Sequence, residues 1–397
     1  MKRVLVIGGG IYQIPVIRRI IERGYEVLCV DGNPNAEGFK YATECKNIDV
    51  MDREACLDYA CSANIDAVMT YGATLTLPTV SYIGNALNLP VLPLETAEIS
   101  RNKYQIKACL KEYGCNICGD FFLLDSYDKV DKDMFQFPCV VKPCDGSGSK
   151  GVSIVYNENE IDDAVQYAFN NARYGEVYVE KYIKGTEYTV ETYTSGEETH
   201  VYVIVKTTFE IDDLGEVEYG HRTPTGLTIE QEEIIAEEVV KAVSALNITM
   251  GSANFDVILS EEDGKAYIID CGIRVGQNLI ASHLVPLSRG VSVIDNAIDQ
   301  ALGEKIEANP KYKKCIATRL LIYSPGVIQE IKAMDDFIGK NDVIDVVMRK
   351  HVGDIQNKYK DKSDTCGWVI TMGATPEIAE KNAILAKERL KEYIIIR

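Results

Sequence analysis

The chain has 397 residues, of which 46% are apolar and 26% charged, and its formal net charge is −18. That length exceeds one ordinary core and predicts two or three domains. The acidic balance disfavours a general nucleic-acid binder, and without a run of about eighteen apolar residues no membrane span is expected.

Residues 1–95 alternate strand and helix. Residues 3–8 are a short apolar strand entered straight from the N-terminus, which does not read as a signal peptide. A helix over 15–23 carries Val16, Ile17, Ile20 and Ile21 on one face, with Pro15 suited to its first turn and Gly24 to its stop. Strands follow at 26–30 and 65–70. This alternation predicts an open parallel sheet. The turn Gly8-Gly9-Gly10 with Asp31 hints at a dinucleotide site, but Gln13 stands where the fingerprint requires glycine. A tight turn lining a substrate cleft is the plainer expectation.

A single helix is expected over 97–113. The lone Cys115/Cys118 pair lacks a second pair or a nearby histidine at metal-ligand spacing, so it reads as structural. All 12 cysteines read as reduced thiols, which implies a cytoplasmic protein. An apolar strand then runs to Lys142, followed by a glycine-rich turn, Gly146-Ser147-Gly148-Ser149-Lys150-Gly151, and a second strand. Backbone N–H groups in such a turn can approach an anion, and Lys142 and Lys150 add point charges. It is not a Walker A loop, since Val152 follows Gly151. An ordinary hairpin turn is the alternative.

The strand Val177–Lys181 with Glu180, Lys181, Ile183 and Glu187 offers an edge for adenine and an acid for ribose hydroxyls; a solvated edge strand is the alternative. Residues 189–305 read as a larger mixed sheet with helices at 229–246 and 291–302. Within it, Asp256 and Asp270 flank a hairpin whose turn is Glu-Glu-Asp-Gly. The two carboxylates meet at the same end of adjacent strands, about 4.8 Å apart. Like charges so close call for a cation, and Mg²⁺ takes one or two carboxylates plus phosphate oxygens. Arg274 follows, placed to hold a phosphoryl group or oxyanion; a surface hairpin with an Asp–Arg pair is the bland alternative. From about 312 the pattern changes, with strands at 317–323, 326–330 and 367–372 and a closing helix at 375–393, which suggests a small separate α+β unit.

These segments, in this order, resemble the ATP-grasp superfamily of ATP-dependent ligases. The resemblance implies an α/β and α+β architecture: a substrate-cleft domain over 1–95, an ATP-grasp domain over 96–310 with a flexible glycine-loop part at about 115–188, and a small C-terminal domain over 311–397. That last unit is similar to the L-amino acid ligase and biotin carboxylase branches. Lys103 and Lys142 match the two nucleotide-phosphate lysines, and 146–151 the phosphate loop. Glu180, Lys181 and Ile183 match the adenine strand, Glu187 the ribose acid, Asp256 and Asp270 the metal acids, and Arg274 the arginine of the E-x-N-x-R motif. ATP and Mg²⁺ (or Mn²⁺) are the implied cofactors. One departure stands out, because Gly272 occupies the asparagine position of that motif. Asn278, a backbone carbonyl or water replaces the missing oxygen, or one of two ions binds weakly.

The implied reaction is an ADP-forming carboxylate–amine ligation through an acyl phosphate, on an amino acid or similar small carboxylate. Small-molecule carboxylate and amine partners follow, with no nucleic acid or membrane partner; a homodimer is the assembly suggested by analogy. His221 and Arg222 lie where related ligases place a substrate loop, and His283 follows closely after Arg274. Alternatives are a phosphoribosylglycinamide synthetase-type or carbamoyl-phosphate synthase-like ligase, a catalytically weakened ATP-binding sensor favoured by Gly272, and a nicotinamide oxidoreductase disfavoured by Gln13.

Overall fold

The structure is a computed structural model and describes residues 1–124, 126–127, 130–146, 148–212, 215–360 and 364–397, apart from the side chains of 210–212 and 215–217. The N-terminal part comprises β1 (Arg3–Ile7), α1 (Ile14–Glu22), β2 (Glu26–Asp31), β3 (Glu44–Asn47), α2 (Arg53–Ala63), β4 (Ala67–Met69) and α3 (Leu77–Leu87). Its sheet has the order β3-β2-β1-β4 and is parallel throughout. Helices cover both faces, which explains the unbroken apolar runs. Val4 and Val6 pack with Val16, Ile17 and Ile20 of α1, whereas Leu5 and Ile7 pack with Cys56, Ala60 and Ile83. The Asp31 carboxylate accepts the Gly9 N–H at 2.7 Å, and the Gln13 side chain donates to the Tyr71 carbonyl at 2.7 Å. The glycine turn is thus held by its own neighbours.

The expected helix over 97–113 is two helices, α4 (Leu94–Ile99) and α5 (Lys103–Glu112). Asn102 between them is extended, and its side chain accepts the Gln105 N–H. That cap starts a new helix and turns its N-terminus elsewhere.

A second, antiparallel sheet is built from β5 (Phe121–Leu124), β6 (Cys139–Pro143), β7 (Ser153–Val155) and β8 (Val177–Lys181), in the order β5-β8-β6-β7. The helix α6 (Ile161–Asn171) buries Ile161, Ala164, Val165 and Ala168 against Val141, Val155, Val177 and Val179.

The remainder contains β9 (Gly185–Ser195), β10 (Glu198–Asp212), β11 (Gly215–Thr223), α7 (Ile229–Ala245), β12 (Met250–Ser260), β13 (Ala266–Gly272), α8 (Val285–Arg289), α9 (Val293–Ala301), β14 (Cys315–Leu320), β15 (Gly326–Ile331), β16 (Val343–Met348), β17 (Ile355–Gln356), β18 (Gly367–Gly373), α10 (Pro376–Leu390) and β19 (Ile394–Ile396). Eight of these strands form one sheet, β13-β12-β9-β10-β11-β14-β18-β16. All its pairings are antiparallel, not mixed. The tail is only partly separate: β14 pairs with the end of β11, and β18 and β16 extend the same sheet. Beyond it lies the small sheet β17-β15-β19. A capping box between Thr228 and Gln231 starts α7. Its Ile235, Val239 and Val243 pack with Val190, Phe255, Val257 and Ile268 of the large sheet.

Candidate functional site

A cleft of about 560 Å³ opens where the three main sheets meet. Lys103, Gly146, Gly148, Ser149, Lys150, Glu187, His221, Asp256, Asp270 and Arg274 all line it. Lys103 arrives there because it opens α5, and its own N–H donates to the Cys144 carbonyl at 2.7 Å. This bond ties the helix start to the base of the glycine loop. Asp145 accepts the N–H groups of Arg173 and Tyr174, which anchors the loop on its other side. At the tip, Gly148 and Ser149 have φ of +65° and +61° in succession. Such left-handed backbone favours glycine and points successive N–H groups to one side. Ser147 lies outside the described residues. Gly151 packs against Asn171 and does not line the cleft.

Asp256 and Asp270 are direct cross-strand partners, with a bulge immediately after Asp256. Asp270 is ion-paired to Lys103, and Asp256 accepts from Thr189 Oγ1 at 2.9 Å. Burial pushes the Asp270 carboxyl up, but Lys103 and Lys142 outweigh it and hold the group below its usual range. It is therefore ionised at neutral pH. Two hard carboxylates on one cleft wall suit Mg²⁺. Among the described residues there is no cluster of three or more His, Cys, Asp or Glu side chains placed to hold an ion. The donor set thus fits an ion completed by phosphate oxygens and not an all-carboxylate cage.

Lys142 and Glu180 do not line the cleft; they lie in the floor layer behind it, with the Lys142 charge acting on Asp270. Glu180 is buried between Lys107 and Lys142, each ammonium 2.5 Å from a different carboxylate oxygen. Both contacts are close, buried ion pairs. Lys142 also donates to the Ile269 carbonyl at 3.0 Å, Lys107 to the Ile268 carbonyl at 3.2 Å, and the Lys142 ammonium sits 5.3 Å over the Tyr178 ring. Burial opposes ionisation of Glu180, yet the two lysines hold its pKa low. The expectation that Glu180 offers its carboxylate to an adenine amino group therefore meets a group already taken by two cations. Lys181 is exposed and Ile183 half-buried, and neither lines the cleft.

Arg274 donates to the Val275 carbonyl at 2.8 Å and stands in the wall between the cleft and a second, mainly apolar cavity of about 100 Å³. Leu77, Val80, Val91, Ile273 and Ala301 contribute to that cavity. The loop after Arg274 is pinned from below by Glu191 on β9. Its oxygens accept from the Gly276 N–H (2.9 and 3.0 Å), the Asn254 amide (2.9 Å) and Ser252 Oγ (2.5 Å). Gly276 allows this approach, because a Cβ there would lie 2.4 Å from a Glu191 oxygen. Burial pushes Glu191 up to about 7 despite those donors.

The structure brings His221 to the cleft beside Glu218, 3.6 Å away, but not Arg222 or His283. Arg222 points to α10, where it pairs with Glu377 at 2.8 Å and Glu380 at 3.3 Å. Its charge is thus spent on clamping β11 to the C-terminal helix. His283 bonds Ser282, and burial lowers its pKa. Sequence reasoning missed Lys107, Glu191 and Asn254. The signals were a lysine on the apolar face of α5, a carboxylate in the middle of a buried strand, and an amide two residues before Asp256.

Residues 100–276 match the ATP-grasp domain family, and residues 319–393 match L-amino acid ligase C-terminal domain 2. The chain is 28% identical over 187 residues to the formate-dependent phosphoribosylglycinamide formyltransferase of Burkholderia thailandensis, covering 46% of each. It thus spans about half the length of that curated relative. In fold it is similar to the L-amino acid ligase of Bacillus licheniformis, with a TM-score of 0.81 and 24% identity over 100% of this chain and 99% of that one. It is also similar to the biotin carboxylase domain of Hydrogenobacter thermophilus 2-oxoglutarate carboxylase, a dimer in complex with MgADP. There the TM-score is 0.74 and the identity 18%, over 100% of this chain and 90% of that one. Among the described residues no helix is long and apolar enough to cross a membrane. The chain thus carries an ATP-grasp domain over 100–276 and an L-amino acid ligase C-terminal domain 2 over 319–393.

Proposed function

We propose that this protein is an ATP-dependent, ADP-forming ligase that joins a small carboxylate, of the amino-acid class, to an amine. The observation that carries the reading is the convergence of Lys103, the glycine loop, Glu187, Asp256, Asp270 and Arg274 on one cleft. Lys103, Lys150 and the loop amides would hold the triphosphate, Glu187 the ribose, and Asp256 with Asp270 a Mg²⁺ ion. Bound there, the ion would neutralise phosphate charge and orient the γ-phosphate. Lys142 adds its charge from the floor.

A free carboxylate resists amine attack because its oxyanion is a poor leaving group. Attack of a carboxylate oxygen on the γ-phosphorus breaks the bond to ADP and gives an acyl phosphate. The amine nitrogen then forms the C–N bond as phosphate leaves, and the amine loses a proton. Arg274 is sited to hold the carboxylate or the departing phosphate, and the glycine loop to exclude water. The apolar cavity behind Arg274 suits an apolar side chain on the acyl donor. The division near residues 95 and 310, the cytosolic setting supported by twelve free cysteines, and a homodimer belong to the same proposal. Phosphate release, screened over pairs of amino acids and small carboxylates, tests it. Release that requires one particular pair supports the reading; no release with any pair, despite ATP binding, overturns it in favour of a nucleotide sensor.

A further inference from the structure

Asp256 and Asp270 supply two oxygens on the metal wall, and Gly272, which a third protein ligand would occupy, has no side chain. The residue paired directly opposite Gly272 across the hairpin is Asn254. Directly opposed residues share a face, with Cβ atoms about 5 Å apart. Asn254 is also two residues from Asp256 along β12, so both project to the same side. Asn254, Asp256, Asp270 and Gly272 all line the cleft.

The orientation of the Asn254 amide is fixed by its neighbour. Its Nδ2 donates to Glu191 Oε2 at 2.9 Å. Glu191 is buried and also receives Ser252 and Gly276, so the NH₂ end is the one turned inward. The carbonyl Oδ1 is left to the other side, and among the described residues nothing donates to it. Asn278 fits less well. It has φ of +53°, and its amide reaches Glu218 at 3.5 Å. A Cβ at Gly272 would lie 3.2 Å from Arg274 Cζ, so the guanidinium packs over the bare backbone and need give by only a few tenths of an ångström to admit a side chain there.

We infer that Asn254 Oδ1 is the third protein oxygen for the cation, moved across the strand pair from position 272, so that Gly272 is not a lesion. The inference rests on the nucleotide–metal reading above. Mn²⁺ titrated into the full chain with saturating ADP, and followed by the loss of the free-ion electron paramagnetic resonance signal, tests it without turnover. Asn254→Ala should weaken Mn²⁺ binding about tenfold or more, with ADP affinity in the absence of metal unchanged. Adding Gly272→Asn to that variant should restore most of the loss, which a merely structural role for Asn254 would not allow. Mn²⁺ affinity of Asn254→Ala within twofold of the parent, or no recovery in the double variant, would overturn the inference. Should the parent with ADP hold Mn²⁺ no better than ADP alone, the metal reading itself fails and takes the inference with it.

Discussion

Glu180→Gln should be among the most damaging conservative changes in the molecule. Glu180 is the carboxylate between the buried ammonium groups of Lys107 and Lys142, each 2.5 Å from one of its oxygens. Neutralising it leaves two like charges on the order of 5 Å apart, which at an effective dielectric near 20 repel by roughly 3 kcal/mol. Lys107 also loses its carboxylate partner and Lys142 keeps only the weaker pull of Asp270, and breaking such a pair from one side costs about 3–5 kcal/mol. For a chain of this size, with an unfolding entropy of about 0.8 kcal/mol/K, that is a fall of roughly 4–6 °C in melting temperature. Thermal unfolding at pH 7 reads it directly. Burial works against the charge of Lys107, but Cys118 and Glu180 raise its pKa to about 12. In the variant the Glu180 part of that support is gone. The gap between parent and variant should therefore narrow as pH rises towards about 10.5, because the folded variant sheds a lysine proton that its unfolded chain still holds, and narrow further towards about 12, where the parent loses the Lys107 charge. A loss under about 1 kcal/mol at pH 7, or a gap independent of pH, would refute the reasoning.

Lys103→Ala should weaken ADP binding about tenfold or more, since a charge-assisted phosphate contact is lost. Lys142→Ala should weaken it less, because that ammonium is committed to Glu180, and calorimetry on both variants decides the order. Asp270→Asn should reduce Mg²⁺-dependent phosphate release far more than metal-free ADP affinity; parent-like rates at limiting Mg²⁺ would contradict the metal assignment. Lys387 is pushed down to about 8 by burial and by Arg319, and its ammonium lies 4.6 Å over the Tyr219 ring. A lysine depressed in the fold carries its full penalty below about pH 8 and is relieved as pH rises towards its ordinary value. Lys387→Met should therefore stabilise the protein at pH 7 by about 1–2 kcal/mol after allowing for partial exposure, with the gain vanishing near pH 10.5. A gain that does not change with pH would count against it.

What could be read from the sequence was whatever periodicity or charge opposition dictates locally. The alternation of buried strand and helix over the first ninety-five residues gave the parallel sheet, because each strand is covered on both faces. Asp256 and Asp270 were legible because a short acidic turn forces their strands together. The break between α4 and α5 was hidden, since it depends on one Asn102 cap inside an apparently continuous helical pattern. The fates of Arg222 and Glu180 were hidden for a different reason. A charged side chain can reach several partners, and only tertiary packing decides that Arg222 meets Glu377 and Glu380 on α10. Lys107, remote in sequence from Glu180, could not be paired with it until β8 and α5 were brought together.

The most direct test of the central claim is a crystal structure of the full chain with Mg²⁺ and a non-hydrolysable ATP analogue. Triphosphate density between Lys103, the 146–151 loop and the Asp256–Asp270 pair, with the ribose at Glu187, is the predicted result. An analogue bound at the N-terminal glycine turn, or anywhere away from those four groups, would contradict it.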